Sequence, residues 1–416
     1  MMRGIFCTAM LAGTAGVAGA QLLPSVGRVL PNVVTAAGPA VRQIDSLTDV
    51  GMSAAQPVNT LLEQRRERLR ALIRDYPRDL ASDGDGNPVR RGDVLLLDAD
   101  AATLAAAERA GFAVLRSTSD AALDLTTTVL APPRNMDTDD AVKRLRKLAP
   151  GATVEFNHVL EPAGSALAAA GAPVVAQAGA SGATLAMIDG GVAGHPSLRG
   201  AKIEQRSFAG AVKATGHGTA IASLLVGHDG AFHGAATGSS LLVADVYGGN
   251  RAAGSAEAIV RALSWIAERR PRVVTISLVG PANALIGRAI KAVQARGITV
   301  VAAVGNDGPA APPQYPASYA GVVAVTGVDA KDRALAEAGK PLHLDYAAPG
   351  ADLAAALPGQ GYSRVRGTSF AAPLAAARIA AAGGSVSREV APGKGRVGAG
   401  ILCRTCRIDP KTVGVR

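Results

Sequence analysis

Two kinds of hydrophobic spacing run along the chain, and the boundary between them falls near residue 183. Before it, short apolar runs alternate with amphipathic stretches. Residues 92–99, 112–117, 123–132 and 152–160 read as strands, while 102–111, closed by Gly111, and 137–148, opened by aspartates, read as helices. Their order, β-α-β-β-α-β, is the ferredoxin-like arrangement, and it carries no cluster of chemistry-bearing residues. After the boundary the apolar runs become nearly continuous, at 183–189, 240–247, 272–279, 298–305 and 321–328. Strands covered on both faces read this way. Helical spacing fills 256–270 and 282–297 between them. The expected class is α/β: a three-layer domain on a parallel sheet, preceded by a small α+β domain.

Residues 21–90 are rich in Pro, Gly and Ala apart from one amphipathic helix. That helix is expected to open at a capping box, Thr60-x-x-Glu63, and to present Leu62, Leu69, Leu72 and Ile73 on one face. A neighbouring domain covers such a face more often than a membrane does. The stretch Asp83–Asn87 resembles a calcium loop only briefly. Pro88 and Val94 stand where its glycine and glutamate belong, so it reads as a turn.

At the N-terminus, Arg3, an apolar stretch from Ile5 to Val17 and the triplet Ala18-Gly19-Ala20 have the layout of an export signal. The expected succession is a signal at 1–20, the Pro/Gly/Ala-rich segment at 21–90, the small α+β domain at 91–160, a linker at 161–182, the parallel-sheet domain at 183–402 and a C-terminal tail at 403–416.

Composition narrows the function classes. Hydrophobic residues make up 48% and charged residues 18%, which excludes global disorder. The net charge of +10 raises the question of nucleic acid. The basic residues, however, concentrate at 65–91 and 143–147 without interleaved aromatics, which describes a solvated face, so no nucleic-acid partner is expected. No run after the signal reaches the ~18 apolar residues of a membrane span. Loss of the signal removes Cys7 and leaves Cys403 and Cys406. Two thiols are half of a zinc site, and no second pair stands nearby, so no metal or other cofactor is expected and a small-loop disulfide is the better reading.

The chemistry-bearing residues stand at the ends of the buried strands, where parallel α/β sheets gather functional groups. The first strand ends in Asp189; His217 opens the helix "GTAIASLLVG"; Asn306 follows the strand 298–305; Ser369 heads a helix of small residues within "GTSFAAP". An acid, a base, an amide and a hydroxyl are what acyl transfer needs. The hydroxyl attacks only if an imidazole takes its proton. A buried carboxylate then fixes the ring's tautomer, and an amide donor stabilises the oxyanion. Each residue also has an ordinary alternative: Asp189 and Ser369 as helix caps, His217 as a structural histidine, Asn306 as a turn residue. His195, His228 and His233 read as surface or loop histidines, and Trp265 as core. The glycines flanking His217 read as room for its ring.

The order Asp189, His217, Ser369, set in "MIDGGVAGHPSL", "GHGTAIASLLVG" and "GTSFAAP", resembles the subtilisin-like serine proteases, or subtilases, from about residue 183 to 402. The resemblance implies a serine endopeptidase in which Asp189 orients His217, His217 is the base and acid, and Ser369 is the nucleophile. It makes Asn306 and the Ser369 backbone N–H the oxyanion hole. It implies that Ser277, Leu278 and Gly280 on one side, and Ala303 and Gly305 on the other, wall the substrate cleft, with Gln314 at the base of the main pocket. It also makes residues 91–160 an inhibitory propeptide, with a first cut between about His158 and Gly182. Polypeptide substrates, its own propeptide as an intramolecular inhibitor, a monomeric state and a secreted or periplasmic location follow. Gly190 departs from the Ser or Thr usual after the aspartate, and Ala220 from the usual second histidine. Ala220 does not touch the chemistry, but Gly190 and the short stretch that follows Ser369 make an inactive, peptide-binding relative the alternative. An α/β-hydrolase esterase is a third reading, but "GTS" is no G-x-S-x-G elbow and the residue order is wrong for it.

Overall fold

The computed structural model describes residues 58–163, 182–359, 361–383 and 390–415. The export signal, the segment up to residue 57 and most of the linker lie outside the described residues. Among the described residues no helix is long and apolar enough to cross a membrane.

Seven parallel strands form the central sheet, in the order Tyr346–Pro349, Val323–Val328, Thr299–Ala303, Val273–Ile276, Thr184–Asp189, Ser240–Asp245, Lys202–Ser207. The sheet belongs to the fold class expected from the continuous apolar runs. Helices α4 (Gly216–Val226) and α7 (Thr368–Ala381) cover one face. Nearly every residue of both is buried, which explains why their sequences are apolar on all sides. Helices α5 (Ala256–Arg269) and α6 (Ala284–Ala295) cover the other face with the stripe Ile259, Leu263, Ile266, Ile286, Ile290 and Val293, and Trp265 is in that core. His217 and Ser369 thus sit at the N-termini of the two helices on one face, beside the carboxyl ends of the central strands.

The smaller domain has four principal antiparallel strands in the order Thr153–His158, Pro88–Leu97, Leu125–Ala131, Ala113–Asp120, and a short strand Leu80–Ser82 also pairs with Pro88–Arg90. Two helices, α2 (Ala101–Arg109) and α3 (Thr138–Leu148), lie on one face over Val94, Leu96, Leu130 and Val154. The other face, with Leu95, Leu97, Leu125 and Val129, joins the core built on α5 and α6. That double coverage is the reason for the unbroken run Val94–Leu97. Polar contacts register the two parts. Asn157 Oδ1 accepts from the Glu257 backbone N–H at 3.2 Å, and Glu155 Oε1 accepts from that of Ala284 at 3.1 Å. Both are first-turn donors without an intrahelical acceptor.

Three boundaries differ from the sequence reading. Helix α1 spans Val58–Asp75, so Thr60 lies inside it and the capping box is not its start. Its buried leucines are Leu61, Leu69 and Leu72, while Leu62 is partly exposed. The linker does not begin at 161, because Glu161–Pro162 pairs as a strand with Leu278–Val279. Residues 403–415 are not a separate tail. Ile408 O accepts from Ala354 N at 2.9 Å, and Arg407 donates to the carbonyls of Ala351, Val328 and Asp329. Cys403 and Cys406 are joined as a disulfide across a tight turn, with Cα atoms 5.1 Å apart.

Candidate active site

Asp189 ends its strand fully buried, and His217 begins the next helix, α4, 3% exposed. Thr215 caps that helix, its Oγ1 accepting from Gly218 N at 3.0 Å. The helix end presses onto the turn after Asp189. A Cβ on Gly218 would stand 2.3 Å from the Gly190 carbonyl oxygen. The glycine after His217 therefore permits a close backbone approach, a different role from the ring clearance read from the sequence. The approach delivers His217 Nδ1 to both Asp189 oxygens, at 3.0 and 2.9 Å. Gly190 N donates to Asp189 Oδ1 at 2.8 Å. A Cβ on Gly190 would lie 2.4 Å from Thr215 Oγ1, so the capping threonine fills the space that a larger residue after the aspartate would need.

Ser369 is fully buried in the first turn of α7. Its Oγ and His217 Nε2 are both buried with no hydrogen-bond partner. These two atoms are the ones a proton transfer between the residues would use. Asn306 follows the strand Thr299–Ala303. Its Oδ1 accepts from Thr368 N at 3.0 Å, which fixes which side of the amide carries the Nδ2 donor. Nδ2 is hydrogen-bonded to the carbonyl oxygen of Ala163. Gly305 N donates to Thr368 Oγ1 at 3.1 Å, tying the same turn to the start of α7.

The chain from 159 to 163 is held between two stretches of backbone. Val159 bridges Ser255, Leu160 N donates to Gly254 O at 2.9 Å, and Tyr247 Oη donates to Leu160 O at 2.8 Å. Pro162 then stands opposite Leu278, Glu161 opposite Val279, and Ala163 N donates to Ser277 O at 2.8 Å. Ser277–Val279 is thus one stretch of backbone that pairs with residues 161–163. The second stretch of backbone pairing with residues 159–163 is Gly254–Ser255, rather than the expected Ala303 and Gly305. Ala303 lies inside the central sheet opposite Val325, and a Cβ on Gly305 would meet Gln314 Cγ at 3.3 Å. Gln314 is 3% exposed and donates through Nε2 to Pro312 O at 2.7 Å.

Three features escaped the sequence reading. Asp245, opposite Asp189 in the sheet register, is fully buried and accepts from the backbone N–H groups of Lys213, Tyr247 and Gly248 at 2.9 Å each. Burial raises its pKa against the lowering effect of those bonds. It shapes the turns that carry Thr215 and Gly248; its strand-end position was the available signal. His195 stands in a loop, as one of its two readings had it, but it is buried. Nδ1 lies 2.8 Å from Ser197 Oγ and Nε2 2.8 Å from Gly361 O, and burial lowers its pKa. Finally, α1 lies at the cleft edge. Arg65 and Arg68 contact Asp307 at 3.3 and 2.9 Å, and Arg68 also contacts Glu161 at 3.2 Å.

A doubly covered parallel sheet bearing this arrangement at its strand ends defines the class of subtilisin-like serine proteases. Residues 180–384 match the Subtilase family model. The chain is 31% identical over 205 residues to Subtilisin Savinase of Lederbergia lenta, covering 48% of this chain and 76% of that protein. It is also 31% identical over 172 residues to the major intracellular serine protease of Bacillus subtilis, covering 40% of this chain and 54% of the relative. The chain thus spans only about half the length of some curated relatives. Fervidolysin from Fervidobacterium pennivorans, a keratinolytic enzyme related to subtilisin, shares the fold at TM-score 0.62 and 16% identity, over 77% of this chain and 61% of its own. The chain belongs to the subtilase family.

Proposed function

We propose that this chain is an exported serine endopeptidase made as a self-cutting zymogen, with residues 91–160 as its inhibitor and Ala163–Gly164 as the first bond cut. The observation that carries the reading is the Asn306 amide bonded to the Ala163 carbonyl oxygen, on a segment already paired with Ser277–Val279. In the cut, the Ser369 Oγ proton passes to His217 Nε2 as Oγ bonds to the carbonyl carbon of residue 163. The charge that develops on the carbonyl oxygen is met by Asn306 Nδ2 and the Ser369 N–H, which the start of α7 leaves without an intrahelical acceptor. His217 returns the proton to the amine of residue 164 as the C–N bond breaks. Water then reverses the sequence and frees the Ala163 carboxylate. Asp189 holds the Nδ1–H tautomer and stabilises the imidazolium.

The Gly190 departure that motivates an inactive relative loses its force, since Thr215 occupies that space and both Asp189 oxygens still reach His217. Export is supported by the layout of residues 1–20 and by the Cys403–Cys406 disulfide, which oxidising compartments favour. The test compares full-length chain with Ser369→Ala by mass and N-terminal sequencing. The expected result is a new N-terminus at Gly164 and casein hydrolysis, both absent in Ser369→Ala. Normal processing of Ser369→Ala with no other protease present would sink the proposal.

A further inference from the structure

Glu161 stands three residues before the proposed cut, counting Ala163 as the first, and its side chain is 8% exposed. Two guanidinium groups hold its carboxylate: Arg68 Nε at 3.2 Å from Oε2 and Arg251 Nη2 at 3.0 Å from Oε1. They belong to different parts of the molecule. Arg68 lies on α1, N-terminal to the cut. Arg251 lies in the short turn Arg251–Ala253 before α5, in the domain that remains after it. That turn is fixed by Asn250 Oδ1 accepting from Ala252 N at 3.0 Å, and it is followed by the Gly254 that pairs with Leu160.

Resting on the protease reading, we infer that Arg251 is a specificity-determining residue that selects peptide substrates with an acidic side chain at the third position before the scissile bond. The backbone pairing of residues 160–163 with Gly254 and Ser277–Val279 is independent of side-chain identity, so any extended peptide can repeat it. In that register the third side chain falls where Glu161 now lies, beside Arg251. The other charges there can be enumerated. Once the cut segment leaves, Arg65 and Arg68 leave with it, and Arg251 and Asp307 stay. Asp307 now shares Arg68 with Glu161, its Oδ1 lying 2.9 Å from Nη2. Asp307 is therefore one guanidinium further from the acidic group than Arg251 is. It weakens the preference without reversing its sign, because Coulomb interaction falls with distance. Arg251 is 55% exposed, so the pair is of the screened kind and the effect is a few-fold change in rate.

The test uses enzyme that has processed itself from the full-length chain, with blocked Leu-X-Pro-Ala anilides in which X is Glu, Gln or Lys. The expected kcat/KM favours Glu over Gln by about threefold and Glu over Lys by about tenfold at low salt, both converging toward unity near molar salt. Arg251→Glu should reverse the Glu:Lys order. In parallel, the first cut is timed in full-length Glu161→Lys, Arg251→Glu and the double variant, where the double should cut faster than Glu161→Lys alone. An unchanged Glu:Lys ratio in Arg251→Glu overturns this inference while leaving the protease reading intact. Absence of any cut after Ala163 in the unaltered chain overturns both.

Discussion

Ser277 Oγ donates a 2.9 Å hydrogen bond to the carbonyl oxygen of Ser369, and both residues are buried. In an uninterrupted helix that carbonyl would accept from the backbone N–H four residues on. Here that residue is Pro373, which has no N–H. The proline frees the carbonyl of the proposed nucleophile, and Ser277 uses it to tie the start of α7 to the end of the strand Val273–Ile276. The same Ser277 accepts Ala163 N through its own carbonyl, so one residue fixes both the hydroxyl's helix and the chain to be cut.

Ser277→Ala leaves the Ser369 carbonyl buried and unpaired. The expected cost is about 1–3 kcal/mol of stability, read as a lower urea midpoint at unchanged m-value. A lower kcat should accompany it, since Ser369 is less firmly placed. Unaltered stability with unaltered kcat would mean that water or a shift of α7 replaces the bond.

Asn306 has two separable duties. Its Oδ1 accepts Thr368 N and its Nδ2 meets the Ala163 carbonyl. Asn306→Asp keeps the acceptor and loses the donor, so kcat on peptide amides should fall by ~10²–10³, the magnitude known for losing such a donor in subtilisin, with stability little changed. Asn306→Ala loses both and should also lower stability. If the two variants are equally active and near the unaltered chain, Asn306 is the turn residue of its alternative reading.

The sheet was legible because buried parallel strands write unbroken apolar runs, and Asp189, His217 and Ser369 could be singled out as candidates because each stands at an element boundary. The contribution of α1 was not legible. Arg65 and Arg68 look like any solvated basic pair until the fold brings them to Asp307, some 240 residues away in sequence. The Gly254–Ser255 wall was hidden for a related reason: backbone pairing leaves little trace in side-chain type. Gly190 was misleading alone, since its meaning depends on Thr215, a neighbour only in space.

Gln314 is buried against Gly305, and the family resemblance puts it at the base of the pocket for the residue before the cut. On the proposed cut that residue is Ala163, which suits a filled pocket. Gln314→Gly should therefore raise kcat/KM for phenylalanine relative to alanine at that position by about tenfold or more, as pocket volume is released. The measurement is the Phe:Ala ratio on matched peptides, and an unchanged ratio would remove Gln314 from the pocket.

The remaining prediction concerns acid. Asp83 accepts His158 Nε2 at 3.1 Å and Asn87 Nδ2 at 2.9 Å through Oδ2, with the backbone N–H groups of Asp85 and Asn87 on Oδ1. On its far side His158 Nδ1 lies 3.1 Å from Asn283 Nδ2, at the cap of α6, so the cluster joins the smaller domain to the larger. The Asn283 amide is fixed by Oδ1 accepting from Leu285 N and Ile286 N, which leaves Nδ1 of His158 as acceptor and Nε2 as the donor to Asp83. Burial raises the pKa of Asp83, but the bonds from His158 and Asn87 outweigh it, and the net value lies below the ordinary one. A carboxylate depressed in the folded state stabilises it at pH above the unfolded value of about 3.9, and that contribution is lost as pH falls through the lower folded value. In full-length Ser369→Ala, which on the proposed mechanism does not digest itself, adding Asp83→Asn should therefore lower Tm at pH 7. The gap between the two proteins should hold to about pH 5 and narrow below pH 4, as the parent loses what the variant already lacks. Thermal melts from pH 3 to 7 measure it, and a gap that stays constant down to pH 3 would show that Asp83 does not act through its charge.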